Sequence, residues 1–341
     1  MSQIIQLTIA IPTYNRADSL DRNLSILMPQ VKRFRKSVEV IVSDNFSTDH
    51  TQEIPEKYIN LGFDIKYIRN KSNLGFDLNW VNCFNLANGK YVYVLGADDI
   101  LVPGSLEKIM NIINANEYSL ICMRAYGFAS DFLKEKPKSF LKNSEFNDIN
   151  LFVIKSGPLI TFISSMIINK SLINHIDPKN LIDPLLTQIH LILRAGLAGN
   201  KSLFINDYLV AADRSNAVWG SKGLLLFSKD LGRIFDFYKP LGINSKAISR
   251  LNRKFLITYF PLVILRLLIN KTIFNKKEMT QIFYKRYHSE YSFYIFCLPL
   301  FYLPRRLAIA YGFFIAATGK LLYGEFLSMF YFLKSQALKF K

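Results

Sequence analysis

The first 125 residues alternate between strand-like and helix-like segments, and this alternation constrains the fold more than any other feature. Four short apolar runs are each followed by turn residues: LTIAIP, VEVIVSD, DIKYIRN and YVYVL. The segment DSLDRNLSILMPQV, which lies between LTIAIP and VEVIVSD, has its apolar residues at helical spacing. This order predicts an α/β domain with a mostly parallel sheet and helices on both faces. Farther along, KSLFIND and YLVAA predict two more short strands.

Polar residues follow four of these strands, at residues 13–16, 44–45, 70–75 and 98–99. The carboxyl ends of parallel strands lie at one edge of a sheet, where α/β proteins bind their ligands. The sequence therefore predicts a ligand site built from all four clusters.

Two carboxylates stand side by side in the fourth cluster, within KYVYVLGADDIL. Asp98 and Asp99 directly follow a buried strand. Like charges this close raise the pKa of at least one group unless a cation lies beside them. The pair therefore predicts that a cation binds at this strand end.

The second part of the chain has a different composition. Residues 225–341 hold 19 Lys and Arg against 5 Asp and Glu, whereas residues 1–224 hold 24 against 21, out of a formal net charge of +17. Its aromatic-rich runs are too often interrupted by proline, arginine or lysine to span a bilayer. We expect residues 1–224 to form the α/β domain and residues 225–341 a helical, membrane-associating region lying in the interface, although a helical subdomain with a basic surface is an alternative.

The cysteines and the N-terminus both favour a cytoplasmic protein. The cysteines are Cys83, Cys122 and Cys297, whose wide spacing matches neither a disulfide framework nor a zinc site. The first residues lack a basic region and a cleavage site, so we expect no secretion.

Three motifs in the first 125 residues strongly resemble one enzyme family. TIAIPTYNRADSL, VEVIVSDNFSTDHT and NLGFDLNWVNCFNLANGKYVYVLGADDILVPGSLEKI, in this order, are similar to the nucleotide-sugar transferases of the GT-A fold, glycosyltransferase family 2. The resemblance continues more loosely to about residue 215. It implies a GT-A (Rossmann-like) fold and an enzyme that transfers a sugar from a nucleoside diphosphate.

The resemblance also implies roles for individual residues. Asp44 would accept a hydrogen bond from the base edge, with Asn45 where the family often has a second aspartate. Asn73 and Gly75 would pack over the nucleotide. The residues that would line the nucleotide pocket after the first strand are Pro12, Thr13, Tyr14 and Arg16.

The GADD segment stands where the family usually has an Asp-x-Asp or Asp-Asp metal motif. Because its first residue is Gly96, the two working carboxylates are Asp98 and Asp99. The resemblance implies Mn²⁺ or Mg²⁺ at Asp99, with Asp98 in the ribose or metal shell. Such an ion would neutralise the charge of the departing diphosphate, and it answers the need for a cation.

Direct displacement with inversion also needs a general base near the acceptor hydroxyl. In the family this carboxylate precedes a segment similar to TQIHLILRAG, and the candidates here are His190 within that segment and Asp183, about one turn before it. The sequence does not decide between these two candidates, and a third residue is an alternative. Arg214, before a polar glycine-containing loop, would clamp the diphosphate.

The sequence thus predicts an inverting, metal-dependent hexosyl- or deoxyhexosyltransferase. Its overall similarity is to O-antigen, lipopolysaccharide and capsule transferases, including the abequosyltransferase-like group, so we expect a lipid-linked oligosaccharide acceptor and a peripheral position on the inner face of the cytoplasmic membrane. Two alternatives are a nucleotidyltransferase of related fold and a nucleic-acid-binding protein, since the positive charge could bind polynucleotides. PTYNRADS does not resemble the nucleotidyltransferase loop, and the basic residues are interleaved with Leu, Ile and Phe, so we expect no nucleic-acid partner.

Overall fold

The computed structural model describes residues 5–173, 185–214, 220–272 and 274–323. The chain divides into two compact units, Met1–Ala217 and Val218–Lys341, which we call unit 1 and unit 2. The sequence analysis placed its boundary between residues 224 and 225.

Unit 1 contains one mixed sheet flanked by helices. Within the described residues, its strands are β1 Leu7–Thr13, β2 Val38–Asp44, β3 Lys66–Arg69, β4 Tyr91–Val94, β5 Asp99–Leu101, β6 Leu120–Phe128, β7 Ser144–Phe146, β8 Met166–Asn169 and β9 Ser202–Asp213. Their order is β3-β2-β1-β4-β8-β6-β9-β5, and β7 also pairs with β9. This arrangement confirms the predicted α/β architecture.

Parallel pairing is confined to part of the sheet. β1 pairs in parallel with β2 and β4, β2 with β3, and β6 with β9, but β8 is antiparallel to both of its neighbours, and β5 and β7 are antiparallel to β9. The expected parallel pairing is found in β1–β4 and again between β6 and β9. The antiparallel pairs involve strands that come after β4, where the regular alternation of strand and crossover helix ends.

The strand β9 replaces two predicted strands. KSLFIND and YLVAA form one continuous strand of 12 residues that pairs with β5, β6 and β7. Its ladder with β6 shifts register around Arg124, opposite Tyr208. This irregularity lets one strand continue through the polar residues Asn206 and Asp207. In the sequence these two residues predicted a break between two separate strands.

The helices of unit 1 bury their apolar faces against this sheet. They are α1 Ala17–Val31, α2 Glu53–Asn60, α3 Phe76–Leu86, α4 Ser105–Ala115, α5 Ile149–Ser156 and α6 Thr187–Ala198. On α1, the predicted stripe from Leu20 to Val31 is buried together with the apolar residues of β1 and β2. This packing fixes the carboxyl ends of β1, β2 and β4 at one edge.

In its described residues, unit 2 consists of helices joined by short turns. Its helices are α7 Gly220–Leu225, α8 Leu231–Tyr238, α9 Ser245–Lys254, α10 Phe260–Ile269, α11 Lys276–Tyr287, α12 Leu298–Tyr302 and α13 Arg305–Leu322. Residues 226–230, 255–259 and 293–297 form π-helical turns. In the described ranges, none of the helices combines the length and the apolar character needed to cross a membrane.

Candidate functional site

The acidic pair lies at the edge predicted from the sequence, but its two members differ in surroundings. Asp99 is the first residue of β5 and is 6% exposed, whereas Asp98 is half-buried. Both carboxylates turn toward Gly96: a Cβ at that position would lie 2.8 Å from Asp99 Oδ2 and 3.3 Å from Asp98 Oδ1. The glycine therefore leaves the space into which the two carboxylates converge.

A buried serine holds Asp99 in place. Ser164 donates a hydrogen bond from Oγ to Asp99 Oδ2 at 2.5 Å and accepts one from Gly96 N at 2.9 Å. Tyr93 in turn donates from its hydroxyl to Ser164 O. Burial, followed by the negative charge of Asp98, raises the pKa of Asp99 to about 8, despite the opposing hydrogen bond from Ser164.

The carboxylate of Asp98 remains available to a ligand. No hydrogen bond or ion pair to its side chain is present within the described ranges, in contrast to Asp99, which is buried and bonded to Ser164. An accessible, unbonded carboxylate next to a buried one suits a hard divalent cation, which prefers oxygen ligands. The residues present thus fit Mn²⁺ or Mg²⁺, with Asp98 as the accessible ligand.

One arginine lies among the acids of this edge. Arg22, on α1, forms an ion pair with Asp213 Oδ2 at 2.6 Å and approaches Asp98 O at 3.5 Å. The register of β5 and β9 pairs Asp99 with Ala212, so Asp98 and Asp213 are the residues adjacent to this pair along the two chains. Acids close to one another repel unless a cation compensates them, and Arg22, which contacts both residues, is placed to do so.

The end of β2 is tied to the segment before α3 through one amide. Asn45 donates from Nδ2 to Asn73 Oδ1 at 2.9 Å and to Gly75 O at 3.1 Å, and its Oδ1 accepts from Leu74 N at 2.9 Å. A carboxylate could accept the last of these bonds but could not donate the first two. This requirement explains the asparagine at a position where the family often has aspartate.

Asp44 is fully buried and already bonded. Its Oδ1 accepts from Ser47 N at 2.9 Å, and its Oδ2 accepts from the Tyr67 hydroxyl at 2.9 Å, with Arg69 Nε at 3.7 Å. Its exposed fraction is 0%. The contact with a nucleotide base expected from the sequence would therefore require one of these partners to move.

Two non-glycine residues with positive φ lie beside the predicted nucleotide pocket. Asn15 has φ 50° and Phe46 has φ 68°, and Asn15 N donates to Ser47 Oγ at 2.9 Å. Strained backbone of this kind is found at functional sites. Phe46 and Tyr14 are 41% and 44% exposed, so two aromatic rings are accessible at this edge.

The other residues predicted after β1 occupy less exposed positions. Thr13 is buried, Pro12 and Arg16 are half-buried, and Arg16 N donates to Thr51 Oγ1 at 3.1 Å. Gly75, with φ 79°, is the residue before α3 and is exposed like Asn73. The structure thus brings the predicted residues of β1, β2 and the segment before α3 to the same edge as Asp98 and Asp99.

Of the two candidates for the general base, His190 lies within the described residues and Asp183 does not. His190 lies on α6 with 5% exposure, and burial, with a smaller effect of Arg194, lowers its pKa to about 4. Since this exposure leaves little of the imidazole accessible to an acceptor hydroxyl, the structure favours a packing role. Asp183 lies outside the described residues.

Arg214 already has two partners in the structure. It donates from Nη2 to Gly127 O and lies 3.5 Å from Glu135 Oε2. The clamp on a diphosphate that the sequence suggested would require Arg214 to leave these partners.

Several residues at this edge escaped the sequence analysis, among them Arg22, Asn23, Asp213 and Ser164. Asn23 is 1% exposed on α1 and donates to Gly96 O and Asp99 O. A polar residue within the apolar face of α1 was a detectable signal for Asn23. The sequence carried no comparable signal for Ser164.

The family model and the related proteins that this chain matches are all glycosyltransferases. Residues 8–176 match the model of glycosyl transferase family 2. Abequosyltransferase RfbV of Salmonella typhimurium is 31% identical over 183 residues, which are 50% of this chain and 55% of that protein. The chain thus spans about half the length of this relative, and it matches 34% to 40% of two uncharacterised glycosyltransferases of Mycoplasma pneumoniae.

Solved structures share the fold over nearly the whole chain. TarS residues 1–349 of S. aureus, in complex with UDP-GlcNAc, has a TM-score of 0.60 at 17% identity, covering 94% of this chain and 92% of that one. The mannosyltransferase PcManGT of Pyrobaculum calidifontis, with GDP-Man and Mn²⁺, has a TM-score of 0.52 at 15% identity, covering 95% and 89%. These likenesses show the GT-A fold.

Proposed function

This chain belongs to glycosyl transferase family 2, and we propose that it transfers a hexosyl or deoxyhexosyl group, with inversion, from a nucleoside diphosphate sugar to a hydroxyl of a lipid-linked oligosaccharide. The observation that carries this proposal is the pairing of an accessible carboxylate, Asp98, with a buried one, Asp99, at the strand edge that also holds Asn45, Phe46 and Tyr14. The family match favours sugar transfer over nucleotidyl transfer or nucleic-acid binding.

The metal ligand in this proposal is Asp98, and Asp99 supports it. The sequence analysis gave the metal to Asp99, but that carboxylate is buried and bonded to Ser164, whereas Asp98 is accessible. When bound, Mn²⁺ or Mg²⁺ neutralises the charge that develops on the leaving diphosphate. Among the described residues no group of three or more acidic, histidine or cysteine side chains could hold a metal, so donor phosphates and water would complete the coordination.

The donor nucleotide would lie against the ends of β1 and β2. Tyr14 and Phe46 offer exposed rings for stacking, and Arg69 lies over the Phe46 ring at 5.1 Å from its centroid. The segment at Asn73 and Gly75, which Asn45 fixes, would close over the nucleotide. Pro12, Thr13 and Arg16 shape the neighbouring backbone, and Asp44 would act mainly by holding the turn after β2.

For the general base, we favour Asp183, the other of the two candidates predicted from the sequence. His190 is only 5% exposed, and its ring is therefore poorly placed to contact an acceptor hydroxyl. The base would remove the proton of the acceptor hydroxyl while the sugar moves to it in one displacement. Arg214 would add positive charge near the diphosphate if it exchanged its present partners.

The proposed acceptor and location rest on the relatives. A Salmonella abequosyltransferase is among them, which supports a role in O-antigen or related surface-polysaccharide synthesis. An acceptor carried on a membrane lipid would place this enzyme at the inner face of the cytoplasmic membrane.

A thermal-shift panel tests the proposal. UDP-, GDP-, CDP- and dTDP-sugars are added with and without Mn²⁺ to the wild type, to Asp98→Asn and to the control Asp64→Asn, an exposed acid before β3. One nucleotide class should raise the Tm by about 2–4 °C, and more with Mn²⁺ than without. Asp98→Asn should lose the Mn²⁺-dependent part, and Asp64→Asn should keep it. If no donor shifts the Tm, or if Asp98→Asn keeps the full Mn²⁺ effect, the proposal is wrong.

A further inference from the structure

Exposed apolar side chains are concentrated in one short part of unit 2. Of the 20 large hydrophobic residues exposed in the described parts of the chain, ten lie between residues 284 and 323. Single exposed hydrophobic residues are ordinary on protein surfaces, but a cluster of this size marks an interaction surface.

Three of these residues form a stripe along α13. Leu307 is 59% exposed, Phe314 68% and Leu321 45%, and a spacing of seven residues puts them on one helix face. Tyr311, which lies between them on the same face, is partly exposed. We call these four residues the α13 stripe.

The other face of α13 explains why the stripe points outward. A Cβ at Gly312 would lie 2.8 Å from Leu265 Cδ1, and one at Gly319 would lie 2.3 Å from Ile257 O. These glycines let α13 approach the 257–265 region closely, so its small residues are buried there. The side chains of the α13 stripe lie on the other side of the helix.

The apolar surface continues from the stripe onto the preceding turn. The Tyr311 hydroxyl donates to Ile295 O at 2.6 Å, and Ile295 itself is 54% exposed. Tyr294 and Tyr302, at 42% and 72%, are exposed in the same part of the chain. Tyrosine suits a boundary between an apolar and an aqueous phase, because its ring is apolar and its hydroxyl is polar.

Positive charge accompanies this surface. Arg305 and Arg306 begin α13 and are both exposed, and Arg305 Nε donates to Leu268 O at 2.9 Å. Residues 225–341 carry 19 basic against 5 acidic residues. Two copies of such a surface would repel each other, whereas an anionic lipid surface would attract it.

We propose that the α13 stripe inserts into the headgroup region of an anionic phospholipid bilayer, with α13 parallel to the membrane plane. This inference goes beyond the transfer reaction and does not depend on it. It assigns membrane contact to one helix face instead of the basic region as a whole.

Vesicle sedimentation of the full chain, without donor or metal, tests this inference. Vesicles contain either phosphatidylcholine alone or equal parts of phosphatidylcholine and phosphatidylglycerol. The wild type should bind the anionic vesicles much more strongly. The double variant Leu307→Ser/Phe314→Ser should lower the partition coefficient about 10-fold or more, because two apolar side chains no longer enter the membrane. The matched control is Phe140→Ser, which removes a 91% exposed phenylalanine from unit 1 and should bind like the wild type.

The reporter variant Phe314→Trp tests the position directly. Its fluorescence should shift to shorter wavelength and be quenched by brominated lipids when anionic vesicles are added. Unchanged binding of the double variant, equal binding to both vesicle types, or an unquenched signal from the reporter variant would each overturn the inference. It would also be overturned if the stripe substitutions abolished self-association in sedimentation velocity while the wild type failed to bind vesicles. Sugar transfer plays no part in these measurements, so failure here leaves the enzymatic proposal standing.

Discussion

Arg22 and Asp213 are 191 positions apart in the chain, yet Arg22 Nη2 lies 2.6 Å from Asp213 Oδ2. Arg22 belongs to α1, and Asp213 is the last residue of β9, next to Ala212, which pairs with Asp99. The side chain of Asp213 is 8% exposed and that of Arg22 38%. The ion pair therefore fastens α1 to the strand edge that carries the acidic pair and brings positive charge to it.

Arg22→Met should destabilise unit 1 by about 1–3 kcal/mol, because it removes a positive charge from beside the buried carboxylate of Asp213. If a divalent cation binds at Asp98, adding Mn²⁺ and donor should restore part of the lost stability, because the cation replaces some of the missing positive charge. Urea unfolding with and without Mn²⁺ and donor measures both effects. The control is Arg33→Met, which breaks an exposed 3.4 Å pair with Glu107 and should change stability by no more than about 0.5 kcal/mol. Equal effects of the two variants would contradict this role for Arg22.

Two neighbouring buried serines give a closely matched comparison. Ser164→Ala removes the hydrogen bond to Asp99 and leaves Gly96 N without its acceptor, so it should lower the free energy of unfolding by about 1–3 kcal/mol. Ser165 is equally buried, but its Oγ has no hydrogen-bond partner within the described ranges. Ser165→Ala should therefore be neutral or slightly stabilising. Urea denaturation of both variants decides the matter, and a larger loss for Ser165→Ala would refute the Ser164–Asp99 link.

Asn45→Asp tests the amide that joins β2 to the segment before α3. The carboxylate cannot donate to Asn73 Oδ1 or Gly75 O and would repel them, so stability should fall by about 1–3 kcal/mol. If this segment closes over the donor, its KM should rise more than kcat falls. Asn111→Asp, an exposed change on α4, is the control and should stay within about 0.5 kcal/mol of the wild type. If the donor KM were unchanged in Asn45→Asp, this segment would not contribute to donor binding.

The succession of strands and helices, the α/β class and the gathering of the polar clusters at one edge could be predicted, because they follow from periodicity over neighbouring residues. The different roles of Asp98 and Asp99 could not, since they depend on Ser164, which is 65 positions away from Asp99 in the chain. The antiparallel strands escaped prediction for a similar reason: the partner of β5 is β9, more than 100 residues later, and no local pattern announces that pairing.

His190 should make stability depend on pH in a defined direction. Its pKa is about 4 in the folded chain and near 6.5 when unfolded, so between these values the unfolded state binds more protons. The contribution of His190 to stability is therefore complete above about pH 6.5 and falls by up to about 3 kcal/mol as the pH drops to about 4.

Urea unfolding of the wild type and of His190→Asn at pH 7 and pH 4.5 checks this expectation. The advantage of the wild type over the variant should shrink or reverse at the lower pH. The control is His50→Asn: Glu53 raises the pKa of His50, so any effect of this exposed residue should have the opposite sign. A wild-type advantage that is constant with pH would contradict a buried neutral imidazole.

Gly96 has a consequence for protein engineering. Because a Cβ there would lie 2.8 Å from Asp99 Oδ2, with the Ser164 hydroxyl at 3.3 Å, an aspartate at this position, as the resemblance to an Asp-x-Asp motif would suggest, would force the acidic pair apart instead of adding a ligand. Grafted motifs and consensus libraries should therefore exchange positions 96, 99 and 164 together, as a single module inherited from one parent.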